Sequence, residues 1–199
     1  MPDASESRLL PSLWEHGVLL TGHFVLPDGR YSDTAFDRFR ILEDPRIATP
    51  LIEVLADMLR PSPPTTTAGA SLGGCIVASQ VARILHTDYI ALEYSEGLGP
   101  VDAGTDLHGR RIAVFDDFGA ASAQFDQVIR LLRARGGEVV CQGVLVTLKG
   151  AVLDLYDAPF ISAVTVDAKI FESDKIPHWL EAVEVQELVD WRKQTPGLN

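Results

Sequence analysis

The chain has 199 residues, of which 46% are hydrophobic and 23% are charged, and its formal net charge is −11. This length and apolar content suit one packed domain and exclude a disordered chain. The acidic balance argues against general nucleic-acid binding, which requires a basic surface, and no apolar run approaches the ~18 residues that a membrane-spanning helix requires.

The N-terminus and the cysteines bear on the cellular compartment. Residues 1–14 carry acidic side chains and lack the basic and then apolar leader of a signal peptide, so we expect a cytoplasmic protein. The chain has 2 cysteines, Cys75 and Cys141, and both lie in apolar segments. Buried thiols fit this placement better than a disulfide, and the Cys/His spacing does not indicate a zinc site.

The first third of the chain predicts a short helix, an extended segment and an amphipathic helix. Residues 9–16 favour a helix that ends at Gly17, and residues 21–30 favour a strand that breaks into a turn. Asp44 and Pro45 are typical of a helix start. The apolar residues of this next helix recur at a ~3.6-residue period, which indicates core packing; they are Ile47, Leu51, Val54, Leu55, Met58 and Leu59.

Two units of strand, small-residue turn and helix follow. The first joins β-prone residues 65–68 to a glycine-rich turn, and the second joins the apolar strand 112–115 to Asp116, Asp117 and a turn of small residues. Strand ends of this kind form ligand crevices, and helix N-termini favour anions. Two carboxylates there suit ribose hydroxyls or a metal carried with a phosphate. A second interpretation is that the aspartates only cap the following helix.

The remaining segments complete an alternating pattern. Residues 88–93, 138–148 and 161–166 predict strands, and residues 180–191 predict a helix in the polar C-terminal tail. Strands that alternate with helices predict an α/β fold with a mainly parallel central sheet flanked by helices. We expect about five strands in this sheet, with residues 112–115 near its middle.

Four segments, in order and spacing, resemble the type I phosphoribosyltransferases, and within them the orotate phosphoribosyltransferase branch. Residues 22–33 resemble the family's N-terminal hood, and residues 68–74 resemble its pyrophosphate loop. Residues 91–93 resemble the strand that enters the mobile catalytic loop. Residues 114–117 resemble the signature for phosphoribosyl pyrophosphate (PRPP), in which two acidic residues meet the ribose hydroxyls.

The resemblance covers residues 17–170 and implies the type I phosphoribosyltransferase fold. It implies a single domain over residues 1–199, with a core over about 45–170. A small hood would consist of about residues 17–40 plus part of the C-terminal tail. The family also implies a homodimer.

The resemblance assigns candidate ligand contacts to the turns and to the hood. It implies that Asp116 and Asp117 hold the ribose hydroxyls and meet a Mg²⁺ ion carried by PRPP. Backbone N–H groups of the glycine-rich turn would bind pyrophosphate, Arg30 would contact base or phosphate, and Phe36 would stack on the base. The candidate ligand contacts are Arg30, Phe36, Ala70, Ser71, Leu72, Gly73, Asp116, Asp117, Gly119, Ala120, Ala121 and Ser122.

Departures from the family pattern predict a divergent member. Residues 120–123 read Ala-Ala-Ser-Ala where the family has a Thr-Thr-Gly-Gly phosphate cradle. Residues 94–108 contain Glu96, Asp102 and Asp106 and no Lys or Arg, where the family brings cations over the leaving pyrophosphate. We therefore expect binding of a phosphoribosyl or nucleotide-type ligand, with orotate transfer absent or slow.

Three alternatives stay open on the sequence. An active phosphoribosyltransferase that joins PRPP to a pyrimidine-like base needs a cation from Arg110, Arg111 or the Arg30 of a second copy. A non-catalytic sensor needs only the ligand pocket. A structural subunit would have that pocket filled by a side chain such as Phe118.

Overall fold

The computed structural model describes residues 6–26, 29–92, 106–119, 123–149 and 158–186. The helices are α1 (Glu6–Glu15), α2 (Arg38–Glu43), α3 (Pro45–Leu59), α4 (Leu72–Leu85), α5 (Ala123–Ala134) and α6 (His178–Glu181). The strands are β1 (Leu19–Val25), β2 (Tyr31–Phe36), β3 (Thr66–Gly69), β4 (Asp88–Ile90), β5 (Arg111–Gly119), β6 (Glu138–Leu148), β7 (Phe160–Val166), β8 (Ile170–Phe171) and β9 (Val185–Gln186). Among the described helices, none has the length and apolar character that crossing a membrane requires.

Five parallel strands form the central sheet, in the order β4-β3-β5-β6-β7. The α/β class, the parallel pairing and the central position of β5 confirm the sequence prediction. The chain passes from β3 to β4 on one side and then returns to place β5 on the other side of β3. This reversal creates a switch point between the carboxyl ends of β3 and β5, where open α/β sheets bind ligands.

Apolar side chains on both sides of β5 explain its central position. Ala113 and Phe115 belong to the core that α3 and α4 cover, whereas Ile112 and Val114 belong to the core that α5 covers. Alternate residues of a strand point to opposite faces, so each face of β5 contributes to a separate core. A continuous apolar run is typical of parallel strands that are buried on both faces.

A second sheet has four strands in the order β8-β2-β1-β9. The β1 and β2 strands form an antiparallel hairpin, β8 pairs antiparallel with β2, and β9 pairs parallel with β1. Segments near the C-terminus thus pair with the 19–36 hairpin. The division of the whole chain into hood and core stays a prediction.

Two sequence predictions differ from the structure. The helix predicted over residues 180–191 is wrong for residues 182–186, because α6 ends at Glu181 and β9 pairs with His23 and Phe24, and residues 187–191 lie outside the described residues. Pairing with the open edge of β1 outweighs local helix propensity there. The predicted strand 112–115 is too short, because Asp116, Phe118 and Gly119 continue the ladder with β6.

Candidate functional site

The candidate site lies at the carboxyl ends of β3 and β5, beside the first turn of α4. Gly69 pairs with Phe115 in the parallel ladder, and the Ala70 N–H donates to the Phe115 carbonyl at 2.7 Å. This bond carries the pairing one residue beyond β3. Residues 70–73, which include the first two residues of α4 and are called the β3–α4 turn below, are therefore held directly against the acidic pair, Asp116 and Asp117.

Glycines allow this close approach of α4 to the strand ends. A Cβ at Gly74 would lie 2.3 Å from the Phe115 carbonyl oxygen, and a Cβ at Gly69 would lie 2.2 Å from the Cys75 nitrogen. A Cβ at Gly73 would lie 2.2 Å from Asp117 Oδ2. Since real Cβ atoms do not approach so closely, the three glycines set the distance between the β3–α4 turn and β5.

Ser71 connects the turn to the acidic pair. Its Oγ accepts a hydrogen bond from the Gly74 N–H at 3.0 Å, which caps the N-terminus of α4. Its hydroxyl donates to Asp116 Oδ1. The same Oδ1 accepts the Asp117 N–H at 2.9 Å. The Asp116 carboxyl is thus held by donors from two elements, α4 and β5.

Both carboxyls of the acidic pair are buried, Asp116 with 6% and Asp117 with 9% of its surface exposed. Burial, followed by the negative charge of Asp117, raises the pKa of Asp116 to about 7. Hydrogen bonds from Ser71 and the Asp117 N–H oppose this rise. Near neutral pH Asp116 is therefore partly protonated, which relieves the repulsion between adjacent buried carboxyls.

The end of β5 is fixed by its neighbour β6. Thr147 Oγ1 donates to the Gly119 carbonyl at 3.1 Å, and a Cβ at Gly119 would lie 2.9 Å from that hydroxyl. The predicted contacts Ala120, Ala121 and Ser122 follow at once but lie outside the described residues. Gly119 thus lies at the carboxyl end of β5. Its contact with a ligand stays a prediction.

Three further predicted ligand contacts lie in the β1–β2 hairpin and at the first residue of α4. Phe36 is 7% exposed, and its ring centroid lies 4.6 Å from that of Phe118, so this contact connects β2 to β5. Arg30 is half-buried in the β1–β2 turn, where its carbonyl accepts the Leu26 N–H at 2.7 Å. Leu72 is 76% exposed at the first position of α4. The roles of Arg30, Phe36 and Leu72 in binding stay predictions.

Two arginines proposed as cation sources lie at the opposite end of β5. Arg110 forms an ion pair with Asp88 at 2.8 Å, and Arg111 donates to the Pro63 carbonyl at 3.0 Å. At ~3.3 Å per residue, the Arg111 Cα is about 16 Å from that of Asp116. Neither arginine is placed to neutralise an anion at the β3–α4 turn.

Sequence reasoning named the acidic pair and the turn but missed the contacts that join them. The glycine-rich turn predicts only backbone N–H contacts with pyrophosphate and does not indicate the bond from the Ser71 hydroxyl to Asp116, although a Ser directly before a helix is an N-cap signal. The contact of Thr147 with Gly119 is not predicted, because the sequence predicts the strand over residues 138–148 but not which strand it pairs with. Phe118 was considered only as a side chain that fills the pocket.

The acidic pair has the donor chemistry for a divalent cation that arrives with a phosphate. Mg²⁺ prefers oxygen ligands and usually takes one or two carboxylates together with substrate phosphates and water. Asp116 and Asp117 supply such carboxylates in direct contact with the turn that is predicted to bind pyrophosphate. The residues present therefore fit a ligand-borne Mg²⁺.

Comparisons with known proteins find relatives among the orotate phosphoribosyltransferases. The chain is 30% identical over 162 residues to the orotate phosphoribosyltransferase of Thermotoga petrophila, a match that covers 81% of this chain and 86% of the relative. It is 30% identical over 174 residues to that of Carboxydothermus hydrogenoformans, covering 86% and 91%. The crystal structure of orotate phosphoribosyltransferase from Aeropyrum pernix matches with a TM-score of 0.65 and 25% identity, covering 79% of this chain and 93% of that one. No protein-family model matches the chain.

Proposed function

Because the chain belongs to the orotate phosphoribosyltransferase family, we propose that it binds a phosphoribosyl ligand of the PRPP type between the ends of β3 and β5. The observation that carries this proposal is the contact between the β3–α4 turn and the acidic pair, through Ser71 and Gly73. That contact places backbone N–H groups, a helix N-terminus and two carboxyls at one switch point of the sheet.

Each part of this arrangement has a role in the proposal. The β3–α4 turn and the start of α4 bind the pyrophosphate, since backbone N–H groups there favour an anion. Asp116 and Asp117 bind the ribose hydroxyls and the Mg²⁺ ion carried by PRPP. Arg30 contacts the base or a phosphate, and Phe36 stacks on the base. We place this function in the cytoplasm and in a homodimer.

We further propose that transfer to orotate is absent or slow. The departing pyrophosphate gains negative charge, and stabilising it requires cations at that position. Residues 94–108 contain Glu96 and Asp102 and no Lys or Arg. The third predicted acidic residue, Asp106, does not belong at this position, because the Leu107 N–H donates to the Arg135 carbonyl at 3.2 Å and holds this part of the chain beside Arg110, at the opposite end of β5. A like-charge contact at ~4 Å costs about 4 kcal/mol at an effective dielectric constant near 20.

A second candidate, an active orotate phosphoribosyltransferase, is favoured by the near full-length similarity to relatives of that name. In this case a second copy would have to supply the cation, for example through its Arg30. The products of transfer would be orotidylate and pyrophosphate. This candidate and the first share the ligand site and differ only in turnover.

Binding and turnover measured on the same samples separate these functions. Calorimetric titration with PRPP and Mg²⁺ should show binding, and the variant Asp116→Asn/Asp117→Asn should lose it. A control, Asp57→Asn/Asp167→Asn, changes two exposed carboxyls and should bind as the wild type does. Orotidylate formation far below one turnover per second supports a binding protein, since ordinary kcat values are about 1–10³ s⁻¹.

The opposite outcomes are equally informative. Turnover near one per second that the double variant abolishes would establish the active transferase. A wild-type protein that binds none of PRPP, orotate or orotidylate would contradict the proposal and leave only a structural role.

A further inference from the structure

The Ser71 hydroxyl makes two of three hydrogen bonds that link the start of α4 to the acidic pair. It accepts the Gly74 N–H at 3.0 Å and donates to Asp116 Oδ1, and that oxygen also accepts the Asp117 N–H at 2.9 Å. A serine hydroxyl has one proton to donate, and here the proton goes to a carboxyl oxygen of another element. The contact spans 45 residues of sequence, so it is a tertiary link between α4 and β5.

We propose that Ser71 is a positioning residue, whose hydroxyl holds the Asp116 carboxyl and the β3–α4 turn in the one relative arrangement that PRPP binding requires. The inference rests on the proposed function, and it assigns Ser71 a task other than direct ligand contact. The hydroxyl proton is already used on Asp116, so Ser71 contributes to the ligand site through its partner.

The same contacts give the two aspartates different roles. Asp116 Oδ1 already accepts two hydrogen bonds, and the residue is 6% exposed. Asp117 instead lies over Gly73, with its Oδ2 at the place that a side chain on residue 73 would occupy. Asp116 is thus the carboxyl that joins the two elements. Asp117 is left as the carboxyl that meets the ligand most directly.

Two substitutions separate this positioning role from helix capping. Glycine is an acceptable N-cap that costs only a few tenths of a kcal/mol, but it has no hydroxyl for Asp116. Residue 71 has φ −146° and ψ 180°, an extended conformation that any residue adopts, so Ser71→Gly removes the contact without introducing strain. Ser71→Thr retains a hydroxyl that both caps α4 and donates to Asp116.

The test is calorimetric titration of the full chain with PRPP in the presence of Mg²⁺. Ser71→Gly should weaken PRPP affinity about tenfold or more, because the hydrogen bond that holds the Asp116 carboxyl to the β3–α4 turn is lost. Ser71→Thr should restore affinity to within about threefold. The matched control is Asp44→Gly, which removes the N-cap side chain of α3 and should leave PRPP affinity unchanged. Equal affinity of Ser71→Gly and wild type would overturn the inference.

Amide hydrogen exchange tests the link even if PRPP does not bind. Loss of the Ser71 hydroxyl frees the Asp116 carboxyl, so the Asp117 N–H that donates to it should exchange at least about tenfold faster in Ser71→Gly than in wild type or Ser71→Thr. Unchanged exchange would overturn the positioning role. Absence of PRPP binding in the wild type, with faster Asp117 exchange in the variant, would instead contradict only the proposed function.

Discussion

At the scale of single residues, the main feature is the pair of adjacent buried carboxyls, Asp116 and Asp117. Burial raises the pKa of Asp116 from 3.8 to about 7, so between these pH values the folded state holds a proton that the unfolded state releases. The free energy of unfolding should therefore fall as pH rises from about 4 to about 7, by on the order of a few kcal/mol. Asp116→Asn keeps the two hydrogen bonds to Oδ1 and should lose this pH dependence.

Chemical denaturation of both proteins across this pH range measures the difference. The lowered pKa of Asp44, about 2, acts in the opposite direction but below this window, so it does not obscure the effect. Asp57→Asn changes an exposed carboxyl and serves as the control. Parallel stability curves for wild type and Asp116→Asn between pH 4 and 7 would contradict the assignment.

Gly73 gives a second prediction at this scale. In Gly73→Ala the new methyl group would lie 2.2 Å from Asp117 Oδ2, so the carboxyl must move. We expect PRPP affinity to fall about tenfold or more, as for loss of a hydrogen bond to a charged group. Ser79→Ala on the same helix removes only a local bond to the Ile76 carbonyl and should bind normally. Calorimetric titration of the two variants with PRPP measures the difference in affinity. Wild-type affinity in Gly73→Ala would show that Asp117 is not a direct ligand contact.

At the scale of elements, the packing of α4 on β3 and β5 controls both stability and the site. Gly69→Ala would place a Cβ 2.2 Å from the Cys75 nitrogen, a backbone atom that moves only with the helix. We expect a loss of about 3 kcal/mol or more in the free energy of unfolding, at the upper end of overpacking effects. Urea unfolding measures it. A loss below about 1 kcal/mol would mean that α4 can move away from the sheet without cost.

The sequence predicts the elements better than the contacts between them. The apolar run 112–115, followed by the acidic pair and a turn of small residues, indicates a strand buried on both faces, and such a strand is expected inside a sheet flanked by helices. The helix prediction for the C-terminal tail fails over residues 182–186 because the pairing of Val185 and Gln186 depends on an edge of β1, some 160 residues away. The bond between Ser71 and Asp116 is likewise absent from any local pattern, because it exists only once α4 and β5 are packed together.

At the scale of the whole molecule, one face carries exposed apolar side chains that a second copy would cover. Leu72 and Ile76, with 76% and 39% exposure, lie along α4, and Tyr89, with 37% exposure, lies on the edge strand β4. The same stripe of α4 continues into a cavity of about 600 Å³; its lining is Ser79, Ala82, Arg83, His86, Thr87 and Tyr89. Exposed apolar patches of this kind mark interaction surfaces.

We expect this α4–β4 face to form the proposed homodimer, and Ile76→Arg to shift the protein to monomers, because each two-fold contact would bury two added charges. Met58→Arg makes the same change at an exposed position of α3 and should leave the dimer intact. Each protomer has a formal charge of −11, so the dimer should be more stable at high than at low ionic strength. Sedimentation equilibrium decides: a wild-type mass near 21.7 kDa at micromolar concentration, or a dimer that survives Ile76→Arg, would contradict this interface.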